Sequence, residues 1–241
     1  MAWFSHLLAD IPGVRHAFLD AHESAAFDKS RLVDIKQVHG KEILHFIKPT
    51  EQRPLVDGVV TSTVGVPIGV VTADCLPLLM ASRDGQHIAS VHAGWRGTAA
   101  GIIAQSVEQF ASLGVAADEL VVAVGPHIRA CCYEVSAEFY DALLQTPAKR
   151  LVESNRQSLF TSVPHKPNAH SAAPREINGL WFDLPRFNLL QLVSAGVPAK
   201  NIEVLETCTY CSAEALDSYR RRTHVPAAKS QQIAWIIKEQ R

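Results

Sequence analysis

The chain has 241 residues, 47% of them hydrophobic and 20% charged, with a formal net charge of −1. This suits an ordinary globular protein with a substantial core, built as one large domain or two small ones. The near-neutral charge gives no electrostatic footing for nucleic acid or an anionic membrane, and the longest apolar runs fall far short of the ~20 residues a membrane helix needs.

Residues 1–12 lack the basic segment, long apolar core and small-residue cleavage site of a secretory signal, so the expected compartment is the cytoplasm. Residues 14–19 read as a first strand, and the polar stretch 20–30, without a clear period, as a loop. Residues 32–38 alternate apolar and polar, the pattern of a half-buried strand, with 42–47 returning as its partner. Residues 56–61 begin as a turn and become a strand. Residues 68–72, 76–81 and 87–92 are three β-rich runs, and Asp84-Gly85 is a hairpin signal between the last two. Asp74 and Cys75 therefore fall where one strand leaves a sheet and the next begins, and His92 falls at a strand end, where rigid scaffolds carry sites.

After Gly97 the period becomes helical, with Ile103, Val107 and Phe110 on one face and Gly114 as the C-terminal cap. The turn at 94–98 feeds that helix start, which favours anions. Residues 120–124 read as a strand ending at Gly125-Pro126-His127, and 131–135 lead into a helix through about Leu144. The Pro-, Ser- and Asn-rich segment 147–178 reads as an excursion or flexible loop. Asp183 is an N-cap candidate for a helix with Pro185 in its first turn, ending before Gly196. Residues 202–205 and 232–237 complete the strands. With no internal repeat and no low-complexity linker, the simplest reading is one mixed α/β domain spanning 1–241.

His39, Cys75 and His92 are the inventory of a catalytic zinc site with three protein ligands and an open position. The open position would hold a water that the metal acidifies into a nucleophile. Their spacing lacks a compact local signature, so other readings of the same residues stand. One is a buried Cys75 with two strand-end histidines bonded to backbone. Another is a cysteine hydrolase with Cys75 as nucleophile and His92 or His39 as base. The five cysteines, Cys75, Cys131, Cys132, Cys208 and Cys211, are an odd count that does not suggest a disulfide framework. Cys131-Cys132 reads as core packing, and Cys208-x-x-Cys211, a C-x-x-C without a partner pair, as structural. The histidines at 6, 16, 22, 45, 165, 170 and 224 read as solvated or structural.

Taken in order, Gln37-Val38-His39-Gly40, Asp57-Gly58, Thr72-Ala73-Asp74-Cys75-Leu76-Pro77, Val91-His92-Ala93-Gly94-Trp95-Arg96-Gly97, Gly125-Pro126, Cys132-Tyr133-Glu134-Val135, Cys208-Thr209 and Ser218-Tyr219-Arg220-Arg221 resemble the YfiH-like family. That family is also called the laccase-domain or polyphenol oxidase family. The resemblance covers about 32–237 and implies a single-domain α-β-β-α layered sandwich with mixed sheets. It implies that His39, Cys75 and His92 bind one zinc ion, with copper an alternative occupant of such a site. It implies a purine nucleoside phosphorylase acting on adenosine, inosine or guanosine, with methylthioadenosine a further candidate and adenosine deaminase as a side activity. The implied partners are a purine nucleoside and phosphate, with a homodimer one expectation for its assembly.

On that reading Asp74 would shuttle a proton during deamination at the purine C6, or cap a turn or orient a ligand histidine. Arg96 with the helix start near Gly97, or Arg220 and Arg221, would hold phosphate; surface ion pairs are the plainer role for all three arginines. The rival functions for the cluster are a copper-dependent polyphenol oxidase, a peptidoglycan-precursor editing factor and a non-catalytic zinc protein. Two departures stand out. Relatives usually begin with an arginine, a Gly-Gly pair, a serine and then a helix, whereas 18–30 here is shorter and lacks that pattern. Gly-Arg before the last strand is replaced by Ala227-Ala228-Lys229-Ser230. The first puts phosphate binding in question and leaves the metal ligands untouched.

Overall fold

The computed structural model describes residues 2–49, 52–162 and 179–240. In chain order they form α1 (His6–Ala9), β1 (Val14–Phe18), α2 (Ala21–Ala26), β2 (Ile43–Phe46), β3 (Gly58–Thr61), β4 (Ile68–Thr72), β5 (Leu76–Ser82) and β6 (Ile88–Ala93). Next come α3 (Trp95–Ala100), α4 (Ile102–Ser112), β7 (Leu120–Val124), β8 (Glu134–Val135), α5 (Ala137–Leu144), α6 (Lys149–Ser154), α7 (Arg156–Leu159) and β9 (Phe160–Thr161). The last are β10 (Leu180–Phe182), α8 (Leu184–Ser194), β11 (Ile202–Val204), α9 (Tyr219–His224) and β12 (Gln232–Lys238).

A six-stranded mixed sheet in the order β11-β7-β5-β6-β3-β2 is the centre of the molecule. Its strands alternate side chains between two cores. Leu76, Leu78 and Met80 of β5, with Leu120, Val122 and Val124 of β7, face a helical layer carrying Ile103, Phe110, Phe187 and Leu192. Leu79, Ala81, Val121 and Ala123 face a second sheet, β1-β12-β4, through Phe18, Ile68, Val70 and Ile236. Apolar cover on both faces explains why these strands read as continuous apolar runs. The outer face of the small sheet carries α2, through the Ile233 N–H donated to Ser24 Oγ and Phe27 stacked on Trp235. A short third sheet, β8-β10-β9, flanks the helices. The fold is a mixed α/β single domain with mixed sheets, as expected; its second helical layer is reduced to little more than α2. No helix among the described residues is long and apolar enough to cross a membrane.

Three local expectations are corrected. Within 20–30, residues 21–26 are a helix rather than a loop, because Asp20 and Glu23 form a capping box at its start. The segment 32–38 is extended but is not a strand. Its alternation serves a side-chain pairing instead: the Gln37 amide donates to the Val71 carbonyl at 2.9 Å and accepts the Val71 N–H at 2.8 Å, covering the open edge of β4. With no partner there, β2 pairs parallel to β3. The first part of 147–178 is α6, α7 and β9; residues 163–178, with His165 and His170, lie outside the described residues. Elsewhere, the helix expected after Gly97 starts earlier, at Trp95, and is interrupted at Gly101 (φ 102°). Gln37→Ala should leave both Val71 groups unsatisfied and destabilise the protein by about 1–3 kcal/mol, read by urea unfolding; an unchanged midpoint would refute this pairing role.

Candidate metal centre

The β5–β6 hairpin alone brings two of the expected ligands together. Leu76 pairs with Ala93 and Pro77 with His92, so Cys75, one residue before β5, lies beside the end of β6. His39 arrives on the extended 32–40 segment. What holds it is Asp57, whose fully buried carboxylate accepts N–H bonds from Val38 (3.1 Å), His39 (2.9 Å) and Gly40 (2.7 Å). The same carboxylate contacts His92 Nδ1 at 2.8 Å, leaving Nε2 of that ring for a ligand. One side chain therefore sets both histidines, a role the sequence reading did not give it. His39 (φ 60°) and Asp74 (φ 86°) hold left-handed backbone conformations that non-glycine residues rarely adopt.

The ligand atoms of His39, Cys75 and His92 lie within 4.8 Å of one another, and the two imidazole rings meet edge-on with centroids 4.8 Å apart. Among the described residues no fourth ligating side chain joins this group. Two glycines permit the approach. A Cβ on Gly94 would stand 2.8 Å from Cys75 Sγ and 3.4 Å from His39 Cδ2, and one on Gly97 would stand 2.6 Å from the Gly40 carbonyl oxygen. Two imidazoles and a thiolate are a donor set that suits zinc or copper.

Cys75, His92 and Asp57 shift one another's protons. Burial pushes the Cys75 thiol up, but hydrogen bonds and charge from His39 and His92 outweigh it and lower the pKa to about 7. Burial pulls His92 down, and its bonds to Asp57 and Cys75 outweigh that and raise it to about 9. Burial raises Asp57 in turn, yet the His92 bond and the N–H donors of Gly40 and Val38 keep it below the usual carboxylate range.

The triad opens on a cleft of about 820 Å³, within the size range of small-molecule sites. Of the sequence-predicted candidates, Asp74, Arg96 and Arg220 line it. Asp74 is buried, accepting from Thr209 Oγ1 at 2.6 Å and from the Arg220 N–H at 2.7 Å, and burial raises its pKa. The exposed Arg96 guanidinium sits over the Trp95 ring at 4.5 Å. Arg220 donates to the Glu134 carbonyl at 2.5 Å and lies 5.4 Å from the Tyr133 ring. Arg221 is not a cleft residue. Its guanidinium donates to the Thr209, Tyr210 and Leu216 carbonyls, so its role is to hold that loop.

The helix start lies at Trp95 rather than Gly97, with Gly94 as its N-cap. Sequence reasoning also missed the cleft's other cations, among them Lys29, Lys36, Arg222 and Lys229, and its aromatic wall of Trp95 and Tyr133. Lys229 stands in the segment that departs from the family's Gly-Arg, and Lys29 in the altered 18–30 region. Such loop residues carry no period that would have marked them.

Cys132 and Cys208 lie in the core and Cys131 packs against it, but Cys208-x-x-Cys211 has a partner pair after all. A parallel bridge between His127 and Cys208 sets the 208–211 segment beside 131–132, and the four sulfurs gather within 4.8 Å of one another.

The family described as multi-copper polyphenol oxidoreductase laccase matches residues 10–236. A Rickettsia conorii protein named purine nucleoside phosphorylase is 32% identical over 211 residues, spanning 88% of this chain and 79% of its own. A protein from an unknown prokaryotic organism, named adenosine deaminase, is 34% identical over 69% of this chain and 57% of its own. The crystal structure of YlmD from Geobacillus stearothermophilus superposes with a TM-score of 0.73 at 26% identity, covering 98% of this chain and 94% of that one.

Proposed function

Because this chain belongs to the multi-copper polyphenol oxidoreductase laccase family, we propose that it is a nucleoside-processing enzyme. The names of its relatives support purine nucleoside phosphorylase and adenosine deaminase activities. The finer reading is phosphorolysis of adenosine, inosine or guanosine, with a zinc ion held by His39, Cys75 and His92. The observation that carries it is a three-ligand group that opens on a cation-lined cleft and, among the described residues, meets no fourth ligand. His39 is exposed, Cys75 half-buried and His92 buried, so the open side is the cleft side. A closed four-ligand site would have favoured a purely structural ion.

A zinc ion there would acidify a water and polarise the substrate. The chain supplies the rest. The Tyr133 and Trp95 faces offer a flat wall for a purine. Arg220 and Arg96 offer charge-assisted hydrogen bonds to phosphate. In phosphorolysis a phosphate oxygen attacks C1′ of the ribose, the C1′–N9 bond breaks, and the departing purine takes a proton. In deamination, water adds at C6 and ammonia leaves. Asp74, next to Cys75, is our candidate to carry the proton, with Thr209 and the Arg220 N–H fixing its carboxyl.

The test is turnover of adenosine and inosine by metal-quantified, zinc-loaded protein, with and without phosphate, followed by chromatography. Free base and ribose 1-phosphate appearing only with phosphate, and lost in His39→Ala, would support the reading. No product despite one bound zinc per chain would overturn it. Arg220→Ala should raise the KM for phosphate about 10–100-fold, the loss of one charge-assisted hydrogen bond; an unchanged phosphate KM would remove Arg220 from that role. The lowered Cys75 thiol favours a second reading, a cysteine nucleophile. That reading predicts activity in metal-free protein that is abolished by thiol alkylation.

A further inference from the structure

We propose that Cys131, Cys132, Cys208 and Cys211 form a second metal centre, a closed tetrathiolate site for a structural zinc ion. All four thiols are free, and their sulfurs lie within 4.8 Å of one another. A tetrahedral zinc with Zn–S bonds of about 2.3 Å places its sulfurs about 3.8 Å apart. Cys131 and Cys211 stand 3.8 Å apart, and Cys132 and Cys211 3.3 Å. A disulfide requires two converging thiols; here four converge, two from each of two segments far apart in sequence.

Backbone hydrogen bonds hold those segments in register. The His127 N–H donates to the Thr207 carbonyl at 3.2 Å, and the Thr209 N–H donates to the His127 carbonyl at 3.0 Å. Arg129 Nη1 donates to the Glu206 carbonyl at 3.0 Å. A preformed frame lowers the ordering cost of binding. Cys132 and Cys208 are buried, Cys131 half-buried and Cys211 exposed, which gives a desolvated site with one face for ion entry.

The site's place in the fold gives it a purpose. Thr209, next to Cys208, bonds Asp74, and Tyr133, next to Cys132, lies against the Arg220 guanidinium. An ion joining 131–132 to 208–211 would therefore clamp two walls of the cleft. Four ligands leave no open position, so this site supports structure and performs no chemistry of its own.

The experiment uses reduced, full-length Cys75→Ala protein, in which every remaining cysteine belongs to the cluster. Titrated with cobalt(II), it should develop thiolate-to-metal charge-transfer absorption that saturates at about one cobalt per chain. Zinc should bleach that absorption, and Cys211→Ser in the same background should lose most of it. As prepared, Cys75→Ala protein should release about one zinc when its thiols are alkylated under denaturing conditions, a readout independent of whether the second variant folds. Absence of thiolate–cobalt absorption, a zinc content near zero, or a disulfide within the cluster of reductant-treated protein would each overturn the proposal. None of these readouts depends on nucleoside turnover, so failure of the functional reading leaves this one standing, and the reverse.

Discussion

Asp57→Ala should abolish metal binding at the proposed triad site and destabilise the fold by about 3–5 kcal/mol, the scale of breaking a buried ionic hydrogen-bonded group. Three successive N–H groups and the His92 ring converge on one carboxylate with no solvent exposure. Removing it strands three N–H donors, each a penalty of about 1–3 kcal/mol when left unsatisfied, and frees the left-handed His39 backbone to relax. Asp57→Asn separates the two effects. The amide keeps the size but lacks the charge that favours a proton on His92 Nδ1, so zinc affinity should fall about 10–100-fold while the fold survives. Chelator competition reads the affinity and denaturant unfolding the stability. Native-like zinc affinity in Asp57→Asn would remove the carboxylate from the metal site's support.

Gly97→Ala should lower kcat/KM by about 100-fold, the cost of displacing a reactive group by about 1 Å, although Gly97 is not itself a ligand. The added Cβ would meet the Gly40 carbonyl oxygen at 2.6 Å. Backbone faces backbone there, so no rotamer change relieves the clash, and the segment that gives way carries His39. Gly101→Ala is the matched control. It meets open space but holds φ at 102°, so it should cost about 1–2 kcal/mol of stability and leave turnover near native. Equal activity in the two variants would show that the 40–97 contact does not position His39. Turnover of a purine nucleoside and chelator-competed zinc affinity together distinguish a moved ligand from a lost fold.

The hairpin and its consequences were legible in the chain. Asp84-Gly85 fixes the turn, the apolar runs fix the strands, and antiparallel pairing then puts Cys75 beside His92. His39 was legible as a residue but not as a position, because its carrier is held by the side chains of Gln37 and Asp57 and an isolated backbone bridge at Lys36, with no strand ladder. Side-chain clamps between residues 17 to 35 apart leave no periodic trace. The family resemblance named His39 as a ligand, and the family itself matches over residues 10–236. The helix at 21–26 was hidden because its signal is a capping box on a short, polar segment rather than an apolar stripe. The four-thiol cluster was hidden for a related reason. Its halves meet through an isolated bridge between His127 and Cys208, outside any strand.

In the small sheet β12 lies between β1 and β4 and pairs antiparallel with both. The middle strand is thus the last of the three to be synthesised. Through the translation of residues 73–231 the two outer strands have no common neighbour, and at about 5–20 residues per second that interval lasts on the order of ten seconds. All three triad ligands have been made by residue 92, yet the second sheet that packs behind them waits for residues 232–238. A nascent chain therefore carries two strands with unsatisfied edges, the condition that invites pairing with other chains. Aggregation during synthesis, more than loss of the finished fold, is where substitutions in β12 should first be felt.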